Sequence, residues 1–454
     1  MQPLPQIPGL CLRDKRAADE GIVPEKTRSS WRPAPHPTEV QMKRHMTAAL
    51  LSGTALFAAS GAQAVEIEYW QYIYETRVTA MDQLIEMFEE QNPDITVEQV
   101  TFPYSDYQTR VIAANMAGNG PDVLQLFYGW TDNFVNGGVL QPLSKEAFPD
   151  EMIEETFFPI VSAMERNGDY YGLPTAVRSL ALFYNKALFE EAGIDGPPET
   201  LDELVETGAA LAKKDDAGNY TQVGLTVEMG GQDHHWWREV LVRQFGGAPY
   251  NDDYTEVTYN DEAGVAATQW YTDLDKKHGV GTPGFMDEGQ AAFRAGRAAM
   301  TIDGTFRLGS FSSIEDFEWG VAELPANADG LQSNYASYFA NGIGAGAEGE
   351  ELEAAEKFLK FITSPEAMQV WLEVVGELPA SPEAALTEEN LADPIYGPFL
   401  KGLEYAHTTT FYDEAAQRQV IMDMTNRIFL EDQPVEESVA EAAEEEQDII
   451  DDYQ

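Results

Sequence analysis

GDYYGLPTAVRSLALFYNKALFEEAGIDGPPETLDEL, residues 168–204, decides how this chain is built. It opens on a Tyr/Gly turn and runs into a short apolar extended stretch, Leu180 to Tyr184. Asn185 then offers a side-chain oxygen to an orphan backbone amide and starts a helix. Gly193 ends that helix, because glycine accepts the left-handed conformation of a helix C-terminus. Pro197-Pro198 breaks the chain, and Thr200 with Glu203 has the spacing of a capping box at a second helix start. The pattern is that of a strand leaving one compact unit and starting another.

On the N-terminal side, Val65 to Tyr72 alternates β-formers and reads as a strand. Thr79 to Gln91 puts Met81, Leu84, Ile85 and Phe88 on one helical face, and Asn92-Pro93 stops it. Ile95 to Phe102 is a second strand, Tyr107 to Ala117 a helix, and Gly120 to Phe127 a third strand. Strand and helix in alternation predict an α/β fold, a parallel or mixed sheet with helices on both faces. Ligand loops in such sheets lie at the carboxyl ends of strands, here Trp70-Gln71-Tyr72 and Phe127-Tyr128-Gly129-Trp130. On the C-terminal side, strands are expected at 221–227, at the end of Phe293–Asp303, at 319–324 and at 335–344. Helices are expected at Asp261–His278, Leu352–Ile362, after Ser364-Pro365, and from Pro434 to the end, with Val435, Val439, Ala442, Ile449 and Tyr453 on one stripe.

The first 41 residues are rich in proline, lack an apolar period and hold the chain's one cysteine, Cys11. Basic residues at Met42-Lys43-Arg44-His45-Met46, a small and apolar run from Thr47 to Gly61, and Ala62-Gln63-Ala64 have the form of a secretory signal peptide over 42–64. The expectation is a start at Met42 or Met46, residues 1–41 being an upstream extension, and a mature chain from Val65. That chain has no cysteine, which excludes disulfides, thiolate metal sites and a lipid-bearing cysteine after the leader. The predicted location is the periplasm. At 43% hydrophobic and 11% aromatic residues the chain buries a core, so disorder is excluded. The formal net charge of −50 repels polyanions, so nucleic acid and anionic lipid are not expected partners. An acidic surface of this kind suits salty surroundings.

The string Pro174-Thr-Ala-Val-Arg178-Ser-Leu-Ala-Leu-Phe-Tyr184-Asn185-Lys186, then helix, glycine, Pro-Pro and Thr200-Leu-Asp-Glu-Leu, resembles the ABC-transporter sugar-binding proteins, extracellular solute-binding proteins related to maltose-binding protein. Phe293 to Phe306, with its Gly296-Arg297-Ala-Ala-Met300 strand and Asp303-Gly304 turn, and Gly376-Glu377-Leu378-Pro379 are similar to the same family. The resemblance implies a two-lobed periplasmic-binding-protein fold: discontinuous lobes, mixed sheets flanked by helices, and a hinge. The lobes implied are 65–177 with 338–362 and 178–337 with 363–454, crossing near 176–180, 335–340 and 361–366. The implied function is capture of a sugar or oligosaccharide between the lobes and delivery to an inner-membrane ABC permease, by a monomer without cofactor or metal.

Sugars are held by flat apolar faces against ring C–H groups and by polar groups on hydroxyls. Aromatic side chains in predicted loops therefore become candidates: Trp70, Tyr72, Tyr128, Trp130, Trp236, Trp237, Phe306, Tyr338, Phe411 and Tyr412. By resemblance, Phe306 stands where the family has a ligand-stacking tryptophan, Phe411 or Tyr412 near a second ligand-facing aromatic, and Trp236 and Trp237 in the aromatic region of the second lobe. Arg178 stands where the maltose-binding branch has a carboxylate; it would grip a uronate, a sulfate or hydroxyls, or else pair with a nearby carboxylate. Asp303 would accept sugar hydroxyls or anchor the Gly304 turn, and Glu377 is a further polar candidate.

Catalytic signals are weak. With 78 acidic residues, carboxylate pairs arise at any spacing by chance. His234 and His235 are adjacent and would point about 100° apart on a helix, a poor chelate. A secreted glycosidase or lyase on a similar body is the alternative reading, and no catalytic residue is named for it.

Overall fold

Val65–Tyr72 (β1) and Ile95–Phe102 (β2) pair in parallel along their whole length, from Val65 opposite Ile95 to Tyr72 opposite Phe102. A computed structural model describes residues 64–453; the expected upstream extension and nearly all of the expected leader lie outside the described residues. Helix α1 (Glu75–Gln91) starts a turn before Thr79 and buries Arg77 as well as Met81, Leu84, Ile85 and Phe88. Each apolar side chain so buried is worth about 1.5–3 kcal/mol. Asn92 closes the helix, its Nδ2 donating to the Phe88 carbonyl at 2.9 Å. Helix α2 (Tyr104–Met116) leads to β3 (Val123–Phe127), which lies parallel to β1 on the side away from β2.

The opening stretch forms one long strand, β4 (Leu173–Asn185). Asn185 Oδ1 accepts the Leu188 N–H at 3.2 Å, and Gly193, with φ of 71°, ends the helix Lys186–Ala192. Thr200 and Glu203 make the reciprocal capping box of helix α3 (Leu201–Leu211). Next come β5 (Tyr220–Leu225), β6 (Ala298–Gly304), β7 (Trp319–Ala322) and β8 (Asn334–Ile343). The strand order is β2-β1-β3-β8-β4-β6-β5, with β7 also on β4. The first half of β4 pairs antiparallel with β8, Ser179 opposite Ala336 and Leu173 opposite Asn341. Its second half pairs antiparallel with β6 and β7, Leu180 opposite Gly304 and Leu182 opposite Ala322. One strand thus belongs to two sets of neighbours, and Arg178 stands just before the changeover.

Two clusters of buried apolar side chains follow. One gathers around Ile67, Leu84, Phe88, Leu124, Phe134 and Phe358; the other around Leu182, Leu204, Leu225, Trp237, Tyr271, Met300 and Ile421. Helix α4 (Gly349–Ile362) buries Ala354, Ala355, Phe358, Leu359 and Ile362 in the first. Helix α5 (Pro365–Val375), capped by Ser364, packs against α1 and puts Met368 and Trp371 in the same cluster. The last helix, α6 (Val435–Tyr453), buries Val439, Ala442, Glu446 and Ile450, a stripe turned from the expected one: Ile449 is half-buried and Tyr453 exposed. A carboxylate, Glu446, sits on its buried face and reorients it. Among the described residues no helix is long and apolar enough to cross a membrane.

Candidate functional site

A cleft of ≈ 820 Å³ opens at the carboxyl end of β1 and the changeover of β4. Its walls come from six places in the chain: Tyr72, Tyr74 and Arg77 at the end of β1 and beyond it, Arg178 on β4, Thr305 to Ser312 after β6, Trp319 of β7, Glu373 to Glu377 at the end of α5, and Asp393 to Tyr396. β1 runs in the same direction as β4 and β6 runs against it, so the loops after β1 and β6 meet from opposite directions at the middle of β4.

Arg77 and Arg178 both face Glu377. Arg77 Nη2 pairs with Glu377 Oε1, Trp371 Nε1 donates to Oε2 at 3.0 Å, and Arg178 Nε lies 3.7 Å from Oε1. Burial works against ionising Glu377, but the charges of Arg77 and Arg178 outweigh it and hold its carboxyl below the usual range. Arg77 Nη1 donates to the Tyr72 hydroxyl. Burial pushes that phenol up to about 12 against the pull of the two arginines, so it stays a neutral hydroxyl. Phe339 lies beneath both guanidinium groups, 4.6 Å from Arg77 and 5.1 Å from Arg178. Phe306 has Arg178 5.6 Å and Arg307 5.0 Å from its ring centre. Tyr104 lies edge-on to Tyr72 at 5.0 Å and, like Tyr74, is exposed beside the cleft.

Of the candidates read from sequence, Tyr72, Arg178, Phe306 and Glu377 line this cleft. Asp303 stands behind it with both oxygens engaged, Oδ1 by the Gly304 N–H at 2.8 Å and Oδ2 by Arg307 Nε at 2.9 Å. That is the turn-anchoring role. Trp70 is buried against Phe102 at 4.8 Å, its Nε1 donating to Glu68. Tyr128 and Tyr338 are buried and stacked at 5.0 Å; their hydroxyls bond Tyr335 and the Ile160 carbonyl. Phe411 is buried beside Tyr128, and Trp130 is half-buried against Phe134. Tyr412 is half-buried, its backbone N–H donating to Gln417.

Trp236 and Trp237 are not loop residues. They open a segment of wider, π-type turns, Trp236–Leu241, and are fully buried, Trp237 donating to Thr268 Oγ1 at 3.0 Å. The expectation that His234 and His235 diverge is also corrected. Their rings lie 3.7 Å apart, because the wide turns flanking them rotate successive side chains less than an α-helix does. Burial drives the His234 imidazole down to about 3, so it is neutral. No cluster of three potential metal ligands occurs among the described residues.

Tyr74, Arg77, Arg307, Trp319 and Tyr396 line the cleft without having been read from the sequence. Arg77 and Arg307 carried a usable signal: each is a rare basic residue shortly beyond the carboxyl end of a strand. A wider depression of ≈ 1140 Å³ lies at the amino end of β1, bordered by Glu66, Glu68, Asp122, Glu348, Glu350 and Glu351. Its described lining has no aromatic face and no cation, and it faces away from the strand ends where ligands sit.

A mixed sheet with helices on its faces and an aromatic, arginine-floored cleft at its strand ends defines an α/β ligand-binding protein. Residues 83–398 match the bacterial extracellular solute-binding protein family, and the chain belongs to that family. It is 25% identical over 352 residues to the maltotriose-binding protein of Pyrococcus abyssi, covering 75% of this chain and 72% of that one. It is 24% identical over 355 residues to the sn-glycerol-3-phosphate-binding periplasmic protein of Yersinia pestis, covering 75% and 80%. Its fold matches the cyclic alpha-maltosyl-1,6-maltose binding protein of Arthrobacter globiformis with a TM-score of 0.76 at 22% identity, over 86% of this chain and 100% of that one. The sugar-binding protein of Xanthomonas citri matches with a TM-score of 0.73 at 20% identity, over 86% and 98%. The fold is therefore that of the maltose-binding-protein type, as the opening stretch led one to expect.

Proposed function

We propose that this chain is a periplasmic substrate-binding protein that captures a sugar or oligosaccharide in the cleft and hands it, unaltered, to an ABC importer of the inner membrane. The observation that carries this reading is the cleft itself: Tyr72, Tyr74, Phe306, Trp319 and Tyr396 supply ring faces around a polar floor. The sugar names of several relatives support it. The two lobes are 65–177 with 338–362 and 178–337 with the C-terminal part, α5 going with the first. Ligand touching both lobes stabilises their closed arrangement, which the importer reads. The leader at 42–64 directs export, the mature chain starts at Val65 without a lipid anchor, and the protein works as a monomer with no cofactor, metal or nucleic-acid partner.

Incubation with a panel of mono-, di- and oligosaccharides, followed by thermal melting and mass spectrometry of the recovered sugar, tests the reading. At least one sugar is expected to raise the melting temperature and return intact. Cleaved or eliminated products would favour a glycosidase or lyase instead, and a panel without any thermal response removes the sugar reading.

A further inference from the structure

The floor of the cleft holds more positive than negative charge, in a chain of formal net charge −50. Two guanidinium groups meet one carboxylate there. Arg77 takes it: its side chain and that of Glu377 are 3% and 9% exposed and directly ion-paired. Arg178 comes no closer to that carboxylate than 3.7 Å, from Nε to the same oxygen, longer than a hydrogen bond. Among the described residues its terminal amino groups have no hydrogen-bond partner. The rings of Phe306 and Phe339, 5.6 and 5.1 Å from its Cζ, hold the guanidinium through contacts that leave its N–H groups unused. The other charged groups of the cleft have partners of their own. Arg307 donates to Asp303 at 2.9 Å, and Asp393 accepts the backbone N–H groups of Ile395 and Tyr396 at 2.8 Å each. Glu373 stands exposed at the edge and accepts from Gln369.

A guanidinium fork that is fixed in place, mostly shielded from water and short of partners matches a planar oxyanion presenting two oxygens. We infer that the ligand of this cleft is an acidic sugar, its anionic group seated on the terminal amino groups of Arg178 and its ring against Phe306. This rests on the sugar reading above and narrows it. Carboxylate, sulfate ester and phosphate ester share the chemistry; the uronate is the best fit, because a carboxylate is planar like the guanidinium.

Titration calorimetry on the purified protein would compare galacturonate and digalacturonate with galactose, and glucose 6-phosphate and glucose 6-sulfate with glucose, with inorganic phosphate as a separate arm. At least one acidic sugar is expected to bind roughly 10- to 100-fold more tightly than its neutral counterpart. Arg178→Gln, shown folded by circular dichroism, is expected to erase that margin. Arg178→Lys is expected to retain part of it, since it keeps the charge and loses the fork. The inference is overturned by a neutral sugar binding as well as its acidic twin, by Arg178→Gln binding the acidic sugar like the parent, or by inorganic phosphate matching the sugar phosphate. If neutral sugars alone bind, the acidic-sugar inference falls and the proposed function stands; if no sugar binds, both fall.

Discussion

Arg238 and Glu446 form an ion pair with neither side chain exposed, Nη2 to Oε1 at 3.0 Å, although 208 residues separate them. Glu446 also accepts from the hydroxyls of Tyr250 and Tyr259 and from Gln417 Nε2. This explains how α6, with a run of glutamates on its outer side, docks at all: one carboxylate turns inward to a preformed set of donors.

Removing that carboxylate strands a buried cation. Glu446→Ala is expected to cost about 3–5 kcal/mol, the range for breaking one partner of a buried pair. Urea unfolding followed by circular dichroism measures it. A loss below about 1 kcal/mol would mean that α6 is held by its apolar stripe alone.

Asp233 predicts a pH dependence. Burial pushes its carboxyl up to about 7 against the hydrogen bonds from the Tyr271 hydroxyl and the Glu228 N–H, with Glu228 and Asp303 nearby adding to the rise. An unfolded aspartate titrates near ~3.9. Between about pH 4 and 7 the folded chain therefore holds a proton that the unfolded chain has released, so stability falls as pH rises through that window. Asp303, pushed up to about 6 by burial, acts in the same sense. Asp233→Asn keeps an oxygen for both donors and should flatten the dependence, gaining most above pH ~7. A parent melting temperature flat across that window contradicts this.

Close approach of α3 to β5 gives a steric prediction. A Cβ added at Gly224 would lie 1.9 Å from the Gly208 carbonyl oxygen, a backbone atom that cannot move aside. Gly224→Ala is expected to lose about 1–3 kcal/mol or to fail to accumulate. Gly196, with nothing within 4 Å of the same added atom, is the control, expected within about 0.5 kcal/mol of the parent.

Strands and capped helices were legible because their signals are local: β1 and β2 by alternation, the helix starts at Asn185, Thr200 and Ser364 by a side chain reaching its own backbone. The strand at 335–344 was legible too, and it ends where small residues are required: an added Cβ at Gly344 would meet the Pro121 carbonyl at 1.9 Å. The cleft was only half legible. Tyr72, Arg178 and Phe306 sit at strand ends or in the crossing, where sequence order predicts loops. Trp319 and Tyr396 reach it through tertiary packing, which no local pattern encodes. Trp236 and Trp237 misled because aromatic residues after a Gly-Gly pair look like a loop until the helix that buries them is in view.

Phe306 and Trp70 separate binding from stability. Both are aromatic residues at strand ends, yet Phe306 is half-buried in the cleft wall whereas Trp70 is packed against Phe102 with its indole N–H on Glu68. Removing the Phe306 ring takes a stacking face from the ligand and leaves the core as it was. Phe306→Ala is therefore expected to weaken sugar binding by roughly tenfold, the worth of one aromatic contact, with little change in melting temperature. Trp70→Ala opens a cavity and should cost about 3–5 kcal/mol of stability, while the fraction that remains folded binds with near-parental affinity. Paired denaturation and titration experiments decide both. If Trp70→Ala keeps its stability and loses the ligand instead, the cleft assigned here is the wrong one.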